Sequence, residues 1–219
     1  MSIGSELLRF NYKQVFCCGD FETTSVNLQF TLPWQIALYN FNLNGVISTQ
    51  NRYIWWADLN MSADAARITN FNYQHYKDHA EDPIKVLKEI EDVIYDPSVK
   101  IVNQNYLGFD AMVLNIWRRK LGLKTYYDYI HQPYKIYDTL ALTRAIKLGI
   151  TPDTSSSLAF LNSQFKLLSI RKKGLKAGLG SISKELGVVV DESKLHDAMY
   201  DTWLVSEVFK KQIYKLELI

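Results

Sequence analysis

The apolar and polar positions of this chain change period along its length. Residues 14–19 (QVFCCG) form a short apolar run that reads as a buried strand. Residues 33–46 (PWQIALYNFNLNGV) read as a strand, a turn at Asn44-Gly45 and the start of a second strand, so a hairpin is expected there. Residues 49–56 continue that second strand or lie beside it. Asp82-Pro83 then opens a helix, with Asp as N-cap and Pro at the first helical position. Ile84, Leu87, Ile90 and Ile94 keep helical spacing up to Tyr95, and Pro97 ends the helix. A strand is predicted over 99–103, a helix over 110–121, a short strand over 135–137 and a helix over 139–148 with Gly149 as its C-terminal cap. Residues 151–180 are rich in Ser, Lys and Gly and read as loop around a short helix at 158–165. Another short helix at 181–186 and a long one at 197–216 complete the reading. Strands come first and then alternate with helices. That order predicts an α/β fold, a mixed β-sheet flanked by helices on both faces. No linker or repeat interrupts it, so residues 1–219 are read as one domain.

Composition narrows the class. Of 219 residues, 47% are apolar and 22% charged, ordinary for a globular protein and unlike a disordered or collagenous chain. No apolar run approaches the ~20 residues that span a bilayer, and the first residues do not resemble a secretory signal. The two cysteines, Cys17 and Cys18, are adjacent, which excludes a disulfide framework and suits a reducing, cytoplasmic setting. Net charge is only +2, but it is unevenly spread. Residues 154–184 carry no acid and six basic residues: Lys166, Arg171, Lys172, Lys173, Lys176 and Lys184. Such a segment is a candidate to meet phosphates.

The candidate chemistry lies in four carboxylates. Asp20 and Glu22 are two apart at the end of the first strand, so both side chains leave the same face. Paired carboxylates repel unless a cation or proton offsets them. On the helix that Asp110 opens, Val113, Leu114, Trp117 and Leu121 mark the apolar stripe, which puts the acid on the core-facing side. Asp201 stands likewise on the stripe of Ala198, Val205 and Val208. Each placement alone is ordinary. Four acids from one strand and two helices, all turned inward, point to a hard divalent cation. His196 is five residues before Asp201, which on a helix would put the two on different faces. It is therefore expected in the preceding loop, able to overhang the acids and to take a proton from water.

Three segments in order now resemble a family. Asp20-Phe21-Glu22-Thr23-Thr24 is similar to the first motif, D-x-E-x-T, of the DEDD exonucleases. Residues 105–110 (NYLGFD) resemble the second, N-x3-F-D. Residues 196–201 (HDAMYD) resemble the histidine form of the third, H-x-A-x-x-D. The spacings between the motif aspartates, 90 and 91 residues, suit the family. Position 197 is Asp, where the tyrosine form would have Tyr. The resemblance is to the DnaQ-like, DEDDh branch, with polymerase proofreading subunits, RNase T and oligoribonuclease among its members. The chain's size and its many Asn and Tyr residues would suit a phage-encoded member.

That resemblance implies an RNase H-like fold and removal of nucleotides one at a time from a 3′ end. It implies two divalent ions, Mg²⁺ with Mn²⁺ as substitute, held by Asp20, Glu22, Asp110 and Asp201. His196 becomes the general base. The region of Thr23 and Thr24 meets the 3′-terminal nucleotide in such enzymes. Asn105 is a candidate to orient substrate or to tie down the loop before Asp110, and Trp34 to stack on a terminal base. Arg171, Lys172 and Lys173 are candidates to guide a single strand. Asp138, before a helix, reads as an N-cap. Single-stranded DNA is the favoured substrate, degraded by a free-standing nuclease or one acting in trans with a DNA polymerase, as a monomer or a dimer. RNA as substrate is the alternative within the same reaction. A catalytically silent nucleic-acid-binding module is the alternative outside it.

Overall fold

A computed structural model describes residues 9–217. Its sheet is built from β1 (Phe16–Thr23), β2 (Pro33–Asn42), β3 (Gly45–Ile54), β4 (Ala80–Glu81), β5 (Lys100–Asn103) and β6 (Ile136–Asp138). The strand order is β4-β3-β2-β1-β5-β6. β1, β2 and β3 pair antiparallel, and β1, β5 and β6 run parallel. The hairpin turn falls at Leu43-Asn44, one residue before the expected Asn44-Gly45, because Gly45 already pairs with Asn42 as the first residue of β3; the Asn42 side chain accepts from Asn44 N and Gly45 N at 2.8 and 3.1 Å. β3 runs unbroken to Ile54, so residues 49–56 are mainly its continuation.

The helices are α1 (Ala63–Ile68), α2 (Tyr73–His79), α3 (Pro83–Ile94), α4 (Asp110–Lys120), α5 (Asp128–His131), α6 (Thr139–Leu148), α7 (Ser157–Ser169), α8 (Leu179–Glu185) and α9 (Ala198–Glu217). The Asp82 carboxylate caps α3 by accepting from Ile84 N and Lys85 N. Gly149 ends α6 at φ 63°, a left-handed conformation that costs other residues energy.

Strand alternation sorts the core into two layers. Cys17 and Phe21 of β1 join Ile36 and Leu38 of β2 against α3 and α4, with Leu87, Ile90, Leu114 and Trp117. Phe16 and Cys18 join Tyr39 and Phe41 against α6, α7 and α9, with Leu142, Phe160, Val205 and Phe209. Asp20 and Glu22 continue the parity of Phe16 and Cys18, which aims them at the α9 layer. The two-residue register persists through Asp20↔Ala37 and Glu22↔Gln35, then slips between Glu22 and Thr23. A slip of this kind ends regular pairing and re-aims the chain at the strand's end. No helix among the described residues is long and apolar enough to cross a membrane.

Candidate active site

The C-terminal end of β1 opens into a cleft of about 730 Å³ whose wall includes Asp20, Glu22, Thr23, Phe109, His196 and Asp201. The strand thus supplies two acids, and the first turn of α9 a third. Asp110 starts α4 behind them and is only 4% exposed. It reaches the group through its field, which acts on Glu22 and is answered by that of Asp20.

Local backbone chemistry holds these pieces. The Asn103 side chain at the end of β5 accepts from Gly19 N at 2.8 Å and donates to Gly19 O, a sideways clamp immediately before Asp20. Asp138 is buried and caps α6 through Leu140 N and Ala141 N. The same carboxylate also accepts from Asn105 N and Leu107 N, both at 3.1 Å. One side chain therefore caps a helix and fastens the loop that delivers Asp110. Asn105 sits left-handed at φ 66°, and its carbonyl accepts from Gly108 N and Phe109 N. A Cβ on Gly108 would lie 2.3 Å from Asn105 Oδ1, so a larger residue there would displace the Asn105 side chain.

His196 stands outside the helix, as its spacing from Asp201 predicts. It occupies a turn at φ 68°, and its backbone N–H donates to Asp201 Oδ2 at 3.2 Å. Asp197 follows, capping α9 through Tyr200 N and adding its field to Asp20, Glu22 and Asp201.

The electrostatics of the group are one-sided. Burial pushes the Asp20 carboxyl up to about 8, with Asp201 and Asp197 adding to it. Burial also pushes Glu22 to about 9, helped by Asp20, Asp201, Asp197 and Asp110. Asp110 is raised by burial, then by Asp20 and Asp138. Asp201 is raised to about 6 by burial, against the opposing pull of the His196 N–H. Carboxyls in this condition accept protons or a cation. Asp201 Oδ1 is buried with no hydrogen-bond partner, an oxygen with unused acceptor capacity. Hard oxygen donors of this kind fit Mg²⁺ or Mn²⁺. Among the described residues no three acid, histidine or cysteine side chains close on a single point. The group is joined by a shared cleft and a shared field, not by a preformed cage.

The remaining predicted residues lie in different places. Thr23 Oγ1 lines the cleft wall and donates to Ser25 O. Thr24 is buried, its hydroxyl accepting from Leu32 N and its carbonyl from Ser62 N, so it ties α1 to the end of β1. Trp34 is only 4% exposed and lines a neighbouring cavity. Lys172 and Lys173 border a separate hollow with Lys147, Lys176 and Glu185, apart from the acid cleft. Arg171 donates to Leu168 O. The α1 side of the cleft, lined by Ala65 and Ile68 with the preceding Ser62, was not expected from the sequence. One signal was present: Ser62 is an N-cap, accepting from Ala65 N.

No protein-family model and no curated protein matches the chain. Solved structures do. An E. coli exonuclease I–ssDNA complex in a zinc-bound form matches at TM-score 0.70 and 19% identity, over 93% of this chain and 41% of that one. E. coli exonuclease I with a dA16 oligonucleotide matches at 0.70 and 19%, over 94% and 42%. A product-bound exonuclease I matches at 0.68 and 17%, over 93% and 45%. This chain thus spans about two-fifths of the length of those proteins. Its six-stranded mixed sheet with flanking helices is the RNase H-like fold of exonuclease I.

Proposed function

We propose that this protein is a metal-dependent 3′–5′ exonuclease that hydrolyses single-stranded DNA to nucleoside 5′-monophosphates. The observation that carries the reading is the meeting of Asp20, Glu22, His196 and Asp201 in one cleft, with Asp110 buried behind them. The order and spacing of the three motifs, and the likeness in fold to exonuclease I bound to DNA, support it.

Two divalent ions, Mg²⁺ with Mn²⁺ as substitute, would supply charge neutralisation at the scissile phosphate and a more acidic attacking water. Asp20, Glu22 and Asp201 would hold them, with Asp110 completing the set. The protein's own part is positional and electrostatic. The Asn103 clamp and the Asp138 anchor fix the acids before substrate arrives, so little reorganisation is needed at reaction. His196, held by its backbone to Asp201, accepts the proton of the attacking water. The cleft wall of Thr23, Val26 and Ile68 receives the terminal nucleotide. The basic loop of Arg171, Lys172 and Lys173 acts at a distance, concentrating the strand near the molecule.

The test is digestion of 5′-labelled DNA and RNA strands of equal sequence with Mg²⁺, with Mn²⁺ and with chelator. A ladder shrinking from the 3′ end, faster on DNA and absent in Asp20→Ala, is expected. A ladder faster on RNA would reassign the substrate. Binding without cleavage of either strand would refute the enzyme and favour a binding module.

A further inference from the structure

A buried polar group that the proposed reaction does not use meets the turn before Asp110. Asp128 opens α5 and is only 2% exposed. Tyr106 Oη donates to its carboxylate, 3.1 Å from each oxygen, and Tyr129 N donates to it at 2.9 Å. Lys135, fully buried, donates to Ile94 O and Asp96 O, at and just past the end of α3. Burial raises the Asp128 carboxyl, while the Tyr106 hydroxyl, the Tyr129 N–H and the Lys135 charge oppose it. Burial, and then the field of Asp128, push the Tyr106 phenol well above its ordinary range, so it stays a donor. An apolar pair would fill the same space without taking a carboxylate out of water. Neither Asp128 nor Tyr106 lines the acid cleft.

Tyr106 stands in the turn that delivers Asp110. Asn105 before it is left-handed at φ 66°, and Phe109 after it sits at φ −143°, ψ −68°, outside the helical region. Asp138 holds this turn from the β6 side through two backbone groups, Asn105 N and Leu107 N. Two bonds to one carboxylate leave the turn able to pivot about it. The Tyr106 side chain removes that freedom, because its ring packs in the core layer of Leu114 and Trp117 and its hydroxyl ends on Asp128. The segment that carries Asp128 is tied in turn to α4. Asn115 donates to Tyr126 O at 3.0 Å and accepts from Tyr126 N at 2.7 Å. Tyr106 and Asp128, 22 positions apart, thus close a loop around α4, whose first residue is Asp110.

We infer that Asp128 is a positioning residue of the nuclease: through the Tyr106 hydroxyl it sets where Asp110 stands relative to Asp20 and Glu22, and so how tightly the acids hold divalent ions. The inference rests on the exonuclease reading. Asp138 fixes the backbone of the turn and Asp128 fixes its orientation, one from each side. A displacement of ~1 Å in a group that acts at the reacting centre is worth up to ~10²-fold in rate, even when its cause is remote.

The experiment compares wild type with Tyr106→Phe, with Asp128→Asn and with the double variant Tyr106→Phe, Asp128→Leu. Tyr106→Phe removes one oxygen and keeps the ring. Asp128→Asn keeps an acceptor for the hydroxyl. The double variant removes the bond without leaving a buried charge behind it. Mn²⁺ affinity is read without substrate, from the electron paramagnetic resonance of the free ion, and kcat and KM are read on single-stranded DNA. Tyr106→Phe should weaken Mn²⁺ binding and lower kcat, each ~10-fold, the scale for groups that orient metal-holding side chains. KM should stay within ~2-fold, since the strand's own contacts are untouched. Asp128→Asn should stay within ~3-fold of wild type in both quantities. Melting temperatures in chelator show which variants are folded, and if Tyr106→Phe is not, the double variant must show the weaker Mn²⁺ binding instead. Unchanged Mn²⁺ affinity in the folded variant, whether or not its melting temperature falls, overturns the positioning role and leaves the nuclease intact. Wild type that cuts no DNA refutes the nuclease, and the inference with it.

Discussion

Replacing Glu22 by Gln should make the metal-free protein more stable while removing its activity. The Glu22 carboxyl has an ordinary value of 4.5 and is pushed to about 9 in the folded protein. Between those values the folded state binds a proton that the unfolded chain releases. Stability therefore falls as pH rises through the window. At ~1.36 kcal/mol per pKa unit, the cost at pH 8 has a ceiling of about 5 kcal/mol. Proton uptake by Asp20 and water entering the open cleft relieve part of it, so a net gain of ~2 kcal/mol is expected for Glu22→Gln at pH 8. At pH 5, close to the ordinary value of 4.5, holding a proton on the folded side chain costs little relative to the unfolded chain, and the gain should shrink to within ~0.5 kcal/mol. Urea unfolding in chelator at both pH values, with wild type and variant alike, measures the difference directly. Nuclease assays on the same samples complete the experiment. A variant less stable than wild type at pH 8, or a difference independent of pH, would refute the reasoning. Either result would mean that the acids do not carry mutual strain.

Three further outcomes follow from the same geometry. His196→Ala should lower kcat ~10²–10⁴-fold with strand affinity retained, read by single-turnover cleavage and by binding; loss of binding without loss of rate would deny it the base role. Asp138→Ala removes the acceptor of four backbone N–H groups and should cost ~3–4 kcal/mol by chemical denaturation; a loss under ~1 kcal/mol would mean that the Asn105–Leu107 loop is held by something else. Lys172→Ala with Lys173→Ala should weaken single-strand binding and flatten its salt dependence by up to ~1.4 in slope, seen by titration at several salt concentrations, while leaving kcat unchanged; an unchanged slope would remove the loop from the path of the strand.

Much of the site was legible because local periodicity reports which face a side chain leaves. The two-residue spacing of Asp20 and Glu22 determined that they point together, whatever the sheet. The apolar stripes behind Asp110 and Asp201 determined that both acids turn inward. Five residues between His196 and Asp201 determined that they could not share a helical face. The Asp82 and Asp138 caps and the Gly149 stop were readable for the same local reason, and the hairpin turn to within one residue. Other features depended on distant partners. The first strand runs to Thr23 and not to Gly19, because β2 pairs with its polar end where no apolar run continues. The helices at 63–68 and 73–79 lack a periodic signal, since α1 buries nothing and α2 buries only Tyr76. Only docking on the ends of β1 and β3 makes them the walls of two cavities. Trp34 is enclosed by Tyr53, Phe71 and Tyr76, residues 19 to 42 positions away, so its burial belongs to the packing. The basic loop, conspicuous as a run of charge, is carried to its own hollow by α6 and α8. The sequence by itself determined the direction of each acid, because that is set within one strand or one helical turn. Tertiary structure decided which of them meet and what surrounds them, because that is set by the pairing and packing of segments far apart in the chain.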